Sequence, residues 1–433
     1  MTKRVLAAAT EAASAVRIGR AFGRISAIDG GAFRLEGLQS FATLGDFVEI
    51  GGRRVGEIIA IDERSALASP LSDLSGVVVG ALASLAPNPP ARPCGAWLGK
   101  VLNAFGRCFD GTPAPEGAAP RPLAGAPVPT SLRRGIGARV DTGLSAFDTF
   151  LPLCRGQRIG LFAGSGVGKS TLLASLARGV DAEVVVCALI GERSREVREF
   201  VEETLGPEGR KRSVVIASTS EDPAPVKRRA ALLAMTAAEH FRDEGRHVLL
   251  LFDSVTRFAD AWREIGLSAG ETPSLRAYPP STFRMLSALA ERSGPGAGAA
   301  GDITAVFTVL VAGSDMDEPV ADMMRGILDG HVVLDRAIAE RGRFPAIDVR
   351  RSVSRALPKC ASPEENASLA EARGLIAAYE EASLMIQSGL YARGADPVID
   401  RAITVWPKLD GFVSLPSVNC PEAFARLNAA LGR

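Results

Sequence analysis

The stretch RIGLFAGSGVGKSTLLASLARG, residues 158–179, joins an apolar run, a glycine-rich loop and an apolar-periodic helix. This order of strand, loop and helix is the context that a phosphate-binding loop requires. Gly164, Gly166 and Gly168 let the backbone wrap closely, so that its N–H groups can point at phosphate oxygens. The N-terminus of the helix adds a favourable dipole for an anion. The sequence therefore predicts a nucleotide-binding α/β domain around this stretch.

The predicted loop runs from the end of the strand into the first helical turn. Its residues are Ala163, Gly164, Ser165, Gly166, Val167, Gly168, Lys169, Ser170 and Thr171. We expect Lys169 to reach the β- and γ-phosphates of a nucleoside triphosphate, and Ser170 to place its hydroxyl on Mg²⁺. Ala163 stands where the strict pattern has glycine, which we expect to be tolerated because the position demands only a small side chain.

A second buried strand is predicted by GRHVLLLFD, residues 245–253, which ends in Asp253. Ligands of open α/β sheets gather at the carboxyl ends of the strands. We expect Asp253 to hold Mg²⁺ through its water shell, because Mg²⁺ dehydrates reluctantly. Together with the phosphate loop, this strand predicts that the protein binds a nucleoside triphosphate.

Glu192 follows the strand predicted by VVVCALIG, residues 184–191, and Gly191 would allow a tight exit from that strand. If the strand lies beside that of the phosphate loop, its end opens onto the γ-phosphate. Hydrolysis needs a group there that orients or deprotonates water. Glu196 and Glu199 are expected to be ordinary solvated charges on the following helix.

The pattern of apolar residues and turn residues changes twice along the chain, which predicts three domains. Residues 1–90 contain a short alanine-rich helix and then β-type runs with glycine turns, among them GVVVGAL at 76–82, which predict a small β-barrel. Residues 91–358 alternate apolar strands and helices, which predicts a predominantly parallel sheet covered on both faces. Residues 359–433 predict an α-helical C-terminal domain.

Composition describes an ordinary globular protein with 47% hydrophobic and 23% charged residues. The net charge of +1 gives no general attraction to nucleic acid or anionic membrane. Six scattered cysteines without a CxxC pair, with three histidines, disfavour a structural zinc site and suggest reduced thiols in a cytosolic protein. The longest apolar runs reach only about half the roughly 20 residues that span a bilayer. We expect a cytoplasmic protein that could meet a membrane through its partners.

Four further stretches resemble a known family: IGERSREVREF (190–200), LLLFDSVTRFADAWREIGLSAGETPSLRAYPPSTF (249–283), DMDEPVADMMRGILDGHVVLDR (315–336) and RFPAIDVRRSVSR (343–355). With the phosphate loop, they resemble the rotary-type ATPases of the ATP synthase α/β superfamily. Within it the chain looks most like the type III protein-export ATPases, in particular those of flagellar export. The resemblance covers most of residues 95–395. It implies a RecA-like core between an N-terminal β-barrel and an α-helical C-terminal domain.

The resemblance also implies roles for single residues at the strand ends. Glu192 matches the catalytic carboxylate that positions water in this family, and Arg193 follows it as in the family's GER motif. Asp253 matches the Mg²⁺-associated acidic residue, and Arg257 a nearby site arginine. From the residues alone, Arg257 could equally brace the strand end through carboxylates.

Further matches lie later in the chain. Arg355 matches the arginine finger that a neighbouring subunit inserts, although by itself it could be a surface arginine. Phe344 aligns with an aromatic that stacks on adenine, and Tyr391 is a further candidate for this contact; either could instead serve packing. Residues 266–277 resemble the loop that faces the central pore. Asp317 departs from the asparagine expected in many relatives.

The resemblance implies Mg²⁺-dependent ATP hydrolysis by a homohexameric, nucleotide-linked ring that energises the unfolding, release and export of flagellar substrates. Its implied partners are a peripheral stator-like regulator at residues 1–20, a central stalk-like coiled-coil protein, the export gate, substrates and chaperones. A chain with both Glu192 and Arg355 can serve both sides of each interface, so one polypeptide could build a complete ring.

Several alternatives remain open at this point. A virulence-type injectisome ATPase uses the same motifs, whereas a catalytic ATP synthase subunit should carry a long acidic C-terminal loop that this chain lacks. An RNA translocase of the Rho kind should have a basic, aromatic-rich N-terminal module. Residues 1–90 instead have 9 Lys/Arg against 9 Asp/Glu and four Phe without Tyr or Trp. A scaffold that binds nucleotide without turnover is a further possibility.

Overall fold

The computed structural model describes residues 21–29, 31–311 and 315–433, so the predicted N-terminal helix and the stator-binding segment lie outside the described residues. The chain forms two compact units. The first comprises the described residues up to Pro89 with Asp222–Pro225 and Glu264–Thr272, and the second comprises Pro90–Glu221, Val226–Arg263 and Pro273–Arg433. The division into domains at 90/91 and 358/359 stays a prediction.

The first unit is built on a closed six-stranded barrel, which confirms the predicted N-terminal fold. Its strands are Phe22–Asp29, Ala32–Glu36, Phe47–Ile50, Arg53–Ile61, Ala66–Pro70 and Leu82–Ala86, labelled β1 to β6. They close in the order β1-β2-β5-β4-β3-β6 through antiparallel pairs. Alternation of side chains along β1 and β2 turns Ile25, Phe33 and Leu35 into the barrel core.

Two details of the barrel correct the sequence prediction. The run at residues 76–82 is not a strand, because Gly76 and Gly80 adopt φ of 83° and 90°, which interrupts the extended backbone. The strand begins instead at Leu82. Strand β5 escapes prediction because its sequence ALASP contains few of the β-branched and aromatic residues that favour strands.

The second unit is built on a nine-stranded sheet, as predicted mainly parallel. Two short strands, Arg139–Val140 (β8) and Leu153–Cys154 (β9), form a separate pair. The strands of the sheet are Val101–Leu102 (β7), Arg158–Ala163 (β10), Val184–Glu192 (β11), Ser213–Thr219 (β12), His247–Asp253 (β13), Gly294–Pro295 (β14), Asp302–Leu310 (β15), Gly330–Leu334 (β16) and Ile347–Ser354 (β17). The order is β17-β16-β10-β15-β13-β11-β12-β7, with β14 beside β15. Only β14 and β17 run antiparallel to their neighbours. All seven residues of β13 are buried, as expected of a strand covered on both faces.

Twelve α-helices are present in the described ranges. They are Ser145–Asp148 (α1), Lys169–Gly179 (α2), Ser194–Glu199 (α3), Gly206–Lys211 (α4), Ala224–Asp243 (α5), Val255–Ser268 (α6), Pro280–Glu291 (α7), Pro319–Ile327 (α8), Arg336–Glu340 (α9), Pro363–Gln387 (α10), Pro397–Val413 (α11) and Cys420–Leu431 (α12). Short 3₁₀ turns span Gly95–Trp97 and Leu275–Ala277, and a π-helical turn spans Phe200–Thr204. In the described part of the chain, no helix has the length and apolar character that crossing a membrane requires.

The three C-terminal helices share one hydrophobic core with the sheet. The Phe412 ring of α11 meets the Phe150 ring edge-on, with centroids 6.1 Å apart. Tyr379 of α10 and Trp406 of α11 stack with centroids 4.4 Å apart, which joins the two long helices. The predicted C-terminal helices are therefore confirmed, and they cover part of the sheet rather than enclosing a core of their own.

Candidate functional site

The phosphate loop connects β10, which ends at Ala163, to α2, which begins at Lys169. Gly166 and Gly168 take the left-handed φ values of 78° and 86°, a conformation that costs other L-residues about 1–2 kcal/mol. Ser170 lies exposed in the first turn of α2. The loop therefore leaves the sheet at the carboxyl edge, where the parallel strands β11, β13 and β15 also end.

Lys169, Asp253 and Glu192 meet at this edge. The Lys169 ammonium donates a hydrogen bond of 2.5 Å to Asp253 Oδ1 and lies 3.6 Å from Glu192 Oε1. The three side chains are 13%, 4% and 18% exposed, so their charges interact in a largely desolvated site. The structure thus brings together the three residues that the sequence assigns to phosphate, metal and water.

The Glu192 carboxyl has an altered proton affinity. Burial raises its pKa to about 7, Lys169 opposes this rise, and the charges of Asp253 and Glu196 add to it. A carboxyl that titrates near neutral pH can both take up and release a proton there, which suits a group that activates water.

A bulge in β11 sets the position of Glu192. The register of β11 with β12 shifts between Ile190 and Glu192, and Gly191 adopts φ of 69°. The Gly191 N–H donates to the buried Ser218 hydroxyl oxygen over 3.2 Å, while the Ser220 N–H donates to the Glu192 carbonyl over 2.9 Å. These bonds hold the turn at which the strand delivers Glu192 to the site.

The two arginines predicted near Glu192 differ in their surroundings. Arg257 packs its aliphatic stem against Gly191, where a Cβ atom would lie 3.3 Å from Arg257 Cβ. Arg193 precedes α3, and its exposed guanidinium lies 3.2 Å from Glu196. The structure therefore brings Arg257 to the bulge and leaves Arg193 with a partner on the following helix.

Sequence reasoning missed Thr308, which touches the site directly. Its fully buried hydroxyl donates a hydrogen bond of 2.7 Å to Asp253 Oδ1. The parallel pairing of β13 with β15 aligns Phe252 with Phe307, so Asp253 and Thr308 come next on adjacent strands. No local motif signals this contact, because it depends on which strand lies beside β13.

Phe344 lies beside the phosphate loop, whereas Tyr391 makes local contacts. A Cβ atom at Gly168 would lie 3.1 Å from Phe344 Cδ1, and the Phe344 side chain is half exposed. The Tyr391 hydroxyl donates within the C-terminal helical region, 3.0 Å from the Asp396 carbonyl and 3.1 Å from Asp400. These bonds tie Tyr391 to the start of α11 and not to the loop.

Arg355 follows β17 and is exposed, with one guanidinium nitrogen 3.3 Å from the Arg325 carbonyl. Asp317 is 91% exposed and lies 4.0 Å from Arg325. In the predicted pore loop, Arg276 forms an ion pair of 2.8 Å with Asp315. Arg355 is thus an exposed charged group whose guanidinium hydrogen-bonds to a backbone carbonyl.

The oxygen donors at the site suit Mg²⁺. Asp253 offers a carboxylate and Ser170 a hydroxyl at the start of α2, and hard oxygen ligands of this kind are those that Mg²⁺ prefers. Neither cysteine nor histidine, the softer ligands that favour other metals, belongs to the predicted set. With a lysine for phosphate and a buried carboxylate for water, the site can support phosphoryl transfer to water.

Comparisons with family models and with known proteins find similarity over most of the chain. The family model described as "ATP synthase alpha/beta family, nucleotide-binding domain" matches residues 143–354, and that of the T3SS EscN ATPase C-terminal domain matches residues 361–415. The flagellum-specific ATP synthase of Caulobacter vibrioides is 47% identical over 406 residues, which cover 91% of this chain and 91% of that protein. The SPI-2 type 3 secretion system ATPase of Salmonella typhimurium is 44% identical, covering 84% and 83% of the two chains.

Solved structures give the same result. The assembled ATPase EscN from the type III secretion system of enteropathogenic E. coli superposes with a TM-score of 0.87 at 38% identity, covering 94% of this chain and 100% of that one. EscN in complex with its central stalk EscO superposes with a TM-score of 0.85 at the same identity and coverage.

Proposed function

The chain belongs to the type III secretion ATPases of the ATP synthase alpha/beta family, which are ATP-hydrolysing enzymes, and we propose that it hydrolyses MgATP as a homohexameric ring that drives flagellar protein export. The observation that carries the proposal is the meeting of Lys169, Asp253 and Glu192 at one sheet edge. In this proposal Lys169 binds the β- and γ-phosphates, and Glu192 orients the attacking water.

Mg²⁺ is the metal we propose for this reaction. Asp253, through the water shell, and Ser170 would hold it, and it would neutralise charge on the phosphates. We propose that Phe344 contacts the adenine, because its half-exposed ring lies against the phosphate loop. The geometry gives less support to a nucleotide contact of Tyr391, whose hydroxyl is engaged at α11.

We propose that Arg355 acts on the nucleotide of a neighbouring subunit. Its exposure, together with its lack of a carboxylate partner among the described residues, leaves a charge available at the surface. An arginine supplied in trans stabilises the charge of the phosphoryl-transfer transition state. The relative EscN has been solved in an assembled form, which supports the proposal that this chain also assembles.

The flagellar apparatus is the export system that we propose. The relatives at 47% and 42% identity over most of the chain are flagellum-specific ATP synthases, whereas a virulence-type relative at 44% identity keeps the injectisome as the second candidate. We propose a central stalk-like protein as a partner, as in the EscN–EscO complex. A stator-like regulator, the export gate, substrates and chaperones are further proposed partners at the cytoplasmic face of the inner membrane.

Replacement of Glu192 tests the enzymatic proposal. We expect Glu192→Gln to lower kcat by at least about a hundredfold, because Gln cannot accept a proton from water, while ATP binding is kept. The matched control is Glu199→Gln, a neighbouring exposed carboxylate on α3, which should turn over normally. Phosphate release and the binding of a fluorescent ATP analogue are the two measurements. Undiminished turnover by Glu192→Gln would contradict the assigned role.

A deletion strain separates the two export systems. We expect loss of the gene to abolish swimming motility and leave any injectisome secretion intact. If the deletion instead abolished the secretion of virulence effectors and left motility intact, the result would favour the injectisome.

A further inference from the structure

Both hydrogen bonds that described residues make to the Asp253 carboxylate go to the same oxygen. Lys169 donates to Oδ1 over 2.5 Å and Thr308 donates to Oδ1 over 2.7 Å. Oδ2 receives none of the hydrogen bonds formed within the described ranges. The carboxylate is therefore held from one side, with the other oxygen left for a further ligand.

The two donors differ in how firmly they are fixed. Lys169 reaches Asp253 through a long flexible side chain, and the proposed function moves its ammonium to the phosphates when nucleotide binds. Thr308 is fully buried on β15, between β10 and β13, and its β-branched side chain has a restricted χ1. Thr308 is thus the donor that remains when Lys169 turns to the nucleotide.

Without Thr308, the movement of Lys169 to the nucleotide would leave the Asp253 carboxylate, which is 4% exposed, without a fixed hydrogen-bond donor. A buried charged group that loses its hydrogen bonds is costly, and it becomes free to change rotamer. We propose that Thr308 is a positioning residue for Asp253, which holds the carboxylate in its ligand-binding orientation while Lys169 exchanges Asp253 for the nucleotide phosphates. This proposal rests on the proposed function, since it concerns the same carboxylate toward Mg²⁺.

Thr308→Val tests the proposal because it replaces the hydroxyl by a methyl group of similar size. The measured quantity is the dissociation constant of a fluorescent ATP analogue, determined in EDTA and again with Mg²⁺. In EDTA we expect the variant to bind the analogue with the affinity of the wild type. When Mg²⁺ is added, the affinity of the variant should increase about tenfold less than that of the wild type, as expected for the loss of a hydrogen bond to a charged group. Thr308→Ser, which keeps the hydroxyl, should retain the gain.

Thr304→Val is the matched control on the same strand. Thr304 is also fully buried, and its hydroxyl bonds to the Gly156 N–H and to His247, away from the site. We expect this variant to lose stability without losing the Mg²⁺-dependent gain. Should Thr308→Val fail to fold, Thr308→Ala serves in the same comparison, because it also removes the hydroxyl and relieves any crowding.

Three results would overturn the role of Thr308: an unchanged gain in Thr308→Val, an equal loss in Thr308→Ser, or an equal loss in Thr304→Val. Each of these leaves nucleotide binding and turnover by the wild type intact, so the proposed function stands. A wild-type protein whose affinity for the analogue does not respond to Mg²⁺ would instead contradict the proposed metal, and with it the role of Thr308.

Discussion

Glu192 carries a carboxyl group whose ionisation is set by its surroundings. Burial raises its pKa to about 7 even though Lys169 opposes the rise. Only the ionised carboxylate can accept a proton from water, so the active fraction of the free enzyme falls as the pH drops through this value. We therefore expect kcat/KM for MgATP to decrease tenfold per pH unit on the acid side, with a midpoint near pH 7. The measurement is a pH profile of kcat/KM.

The profile distinguishes this account from one in which Glu192 is an ordinary exposed carboxylate. An acid limb with its midpoint between pH 4 and 5, where unperturbed Glu titrates, would contradict a buried and perturbed group. Glu199→Gln is again the control, and it should reproduce the wild-type midpoint because Glu199 is exposed on α3.

The sequence could identify residues that directly follow an apolar strand. Asp253 ends β13 and Glu192 ends β11, and parallel strands bring such ends to one edge. Thr308 could not be identified, because its contact with Asp253 depends on the pairing of β13 with β15. The bonds of the Tyr391 hydroxyl to Asp396 and Asp400 are equally invisible in sequence, since a loop conformation creates them.

The bulge in β11 is the element that delivers Glu192, and Gly191 tests it. An alanine at φ of 69° is strained by about 1–2 kcal/mol, and its Cβ would lie 3.3 Å from Arg257 Cβ. We expect Gly191→Ala to lose this stability and also to lower kcat, because the crowding displaces the bulge beside Glu192. Chemical denaturation and phosphate release are the measurements.

Gly206 supplies a matched control for the strain itself. It has the same φ of 69°, but a Cβ there would meet nothing within 4 Å. Gly206→Ala should therefore lose similar stability and keep its kcat. If both variants lost kcat equally, the effect of Gly191→Ala would come from lost stability rather than from the bulge.

At the level of elements, periodicity predicted those strands and helices that bury much apolar surface. The parallel strands β10, β11, β12, β13 and β15 appear in sequence as near-continuous apolar runs, since both of their faces are covered. The barrel strand β5 does not appear as such a run, because the small residues that it contributes to the barrel core give only a weak hydrophobic pattern in the sequence. The common core of α10 to α12 with the sheet also lies beyond prediction from local patterns, as it joins distant parts of the chain.

At the scale of the whole molecule, the two residues proposed to complete a catalytic site, Glu192 and Arg355, have different surroundings. Glu192 lies beside its own phosphate-loop lysine, whereas the exposed guanidinium of Arg355 bonds only to the Arg325 carbonyl among the described residues. If the chain forms a closed ring, each interface would combine Glu192 of one subunit with Arg355 of the next. Glu192→Gln and Arg355→Ala should then each abolish turnover in rings made of one variant.

Mixing the two inactive variants tests this arrangement directly. In a randomly mixed ring, about a quarter of the interfaces pair an intact Glu192 with an intact Arg355, because each subunit contributes a different half to its two interfaces. We expect the mixture, assembled together, to recover measurable ATPase activity that neither variant has alone. The control is the double variant mixed with Glu192→Gln, which should give no recovery because no subunit in that mixture carries an intact Glu192. A mixture that stays inactive, although mixed rings form, would contradict a site completed in trans, since Arg355 would then serve the nucleotide of its own subunit.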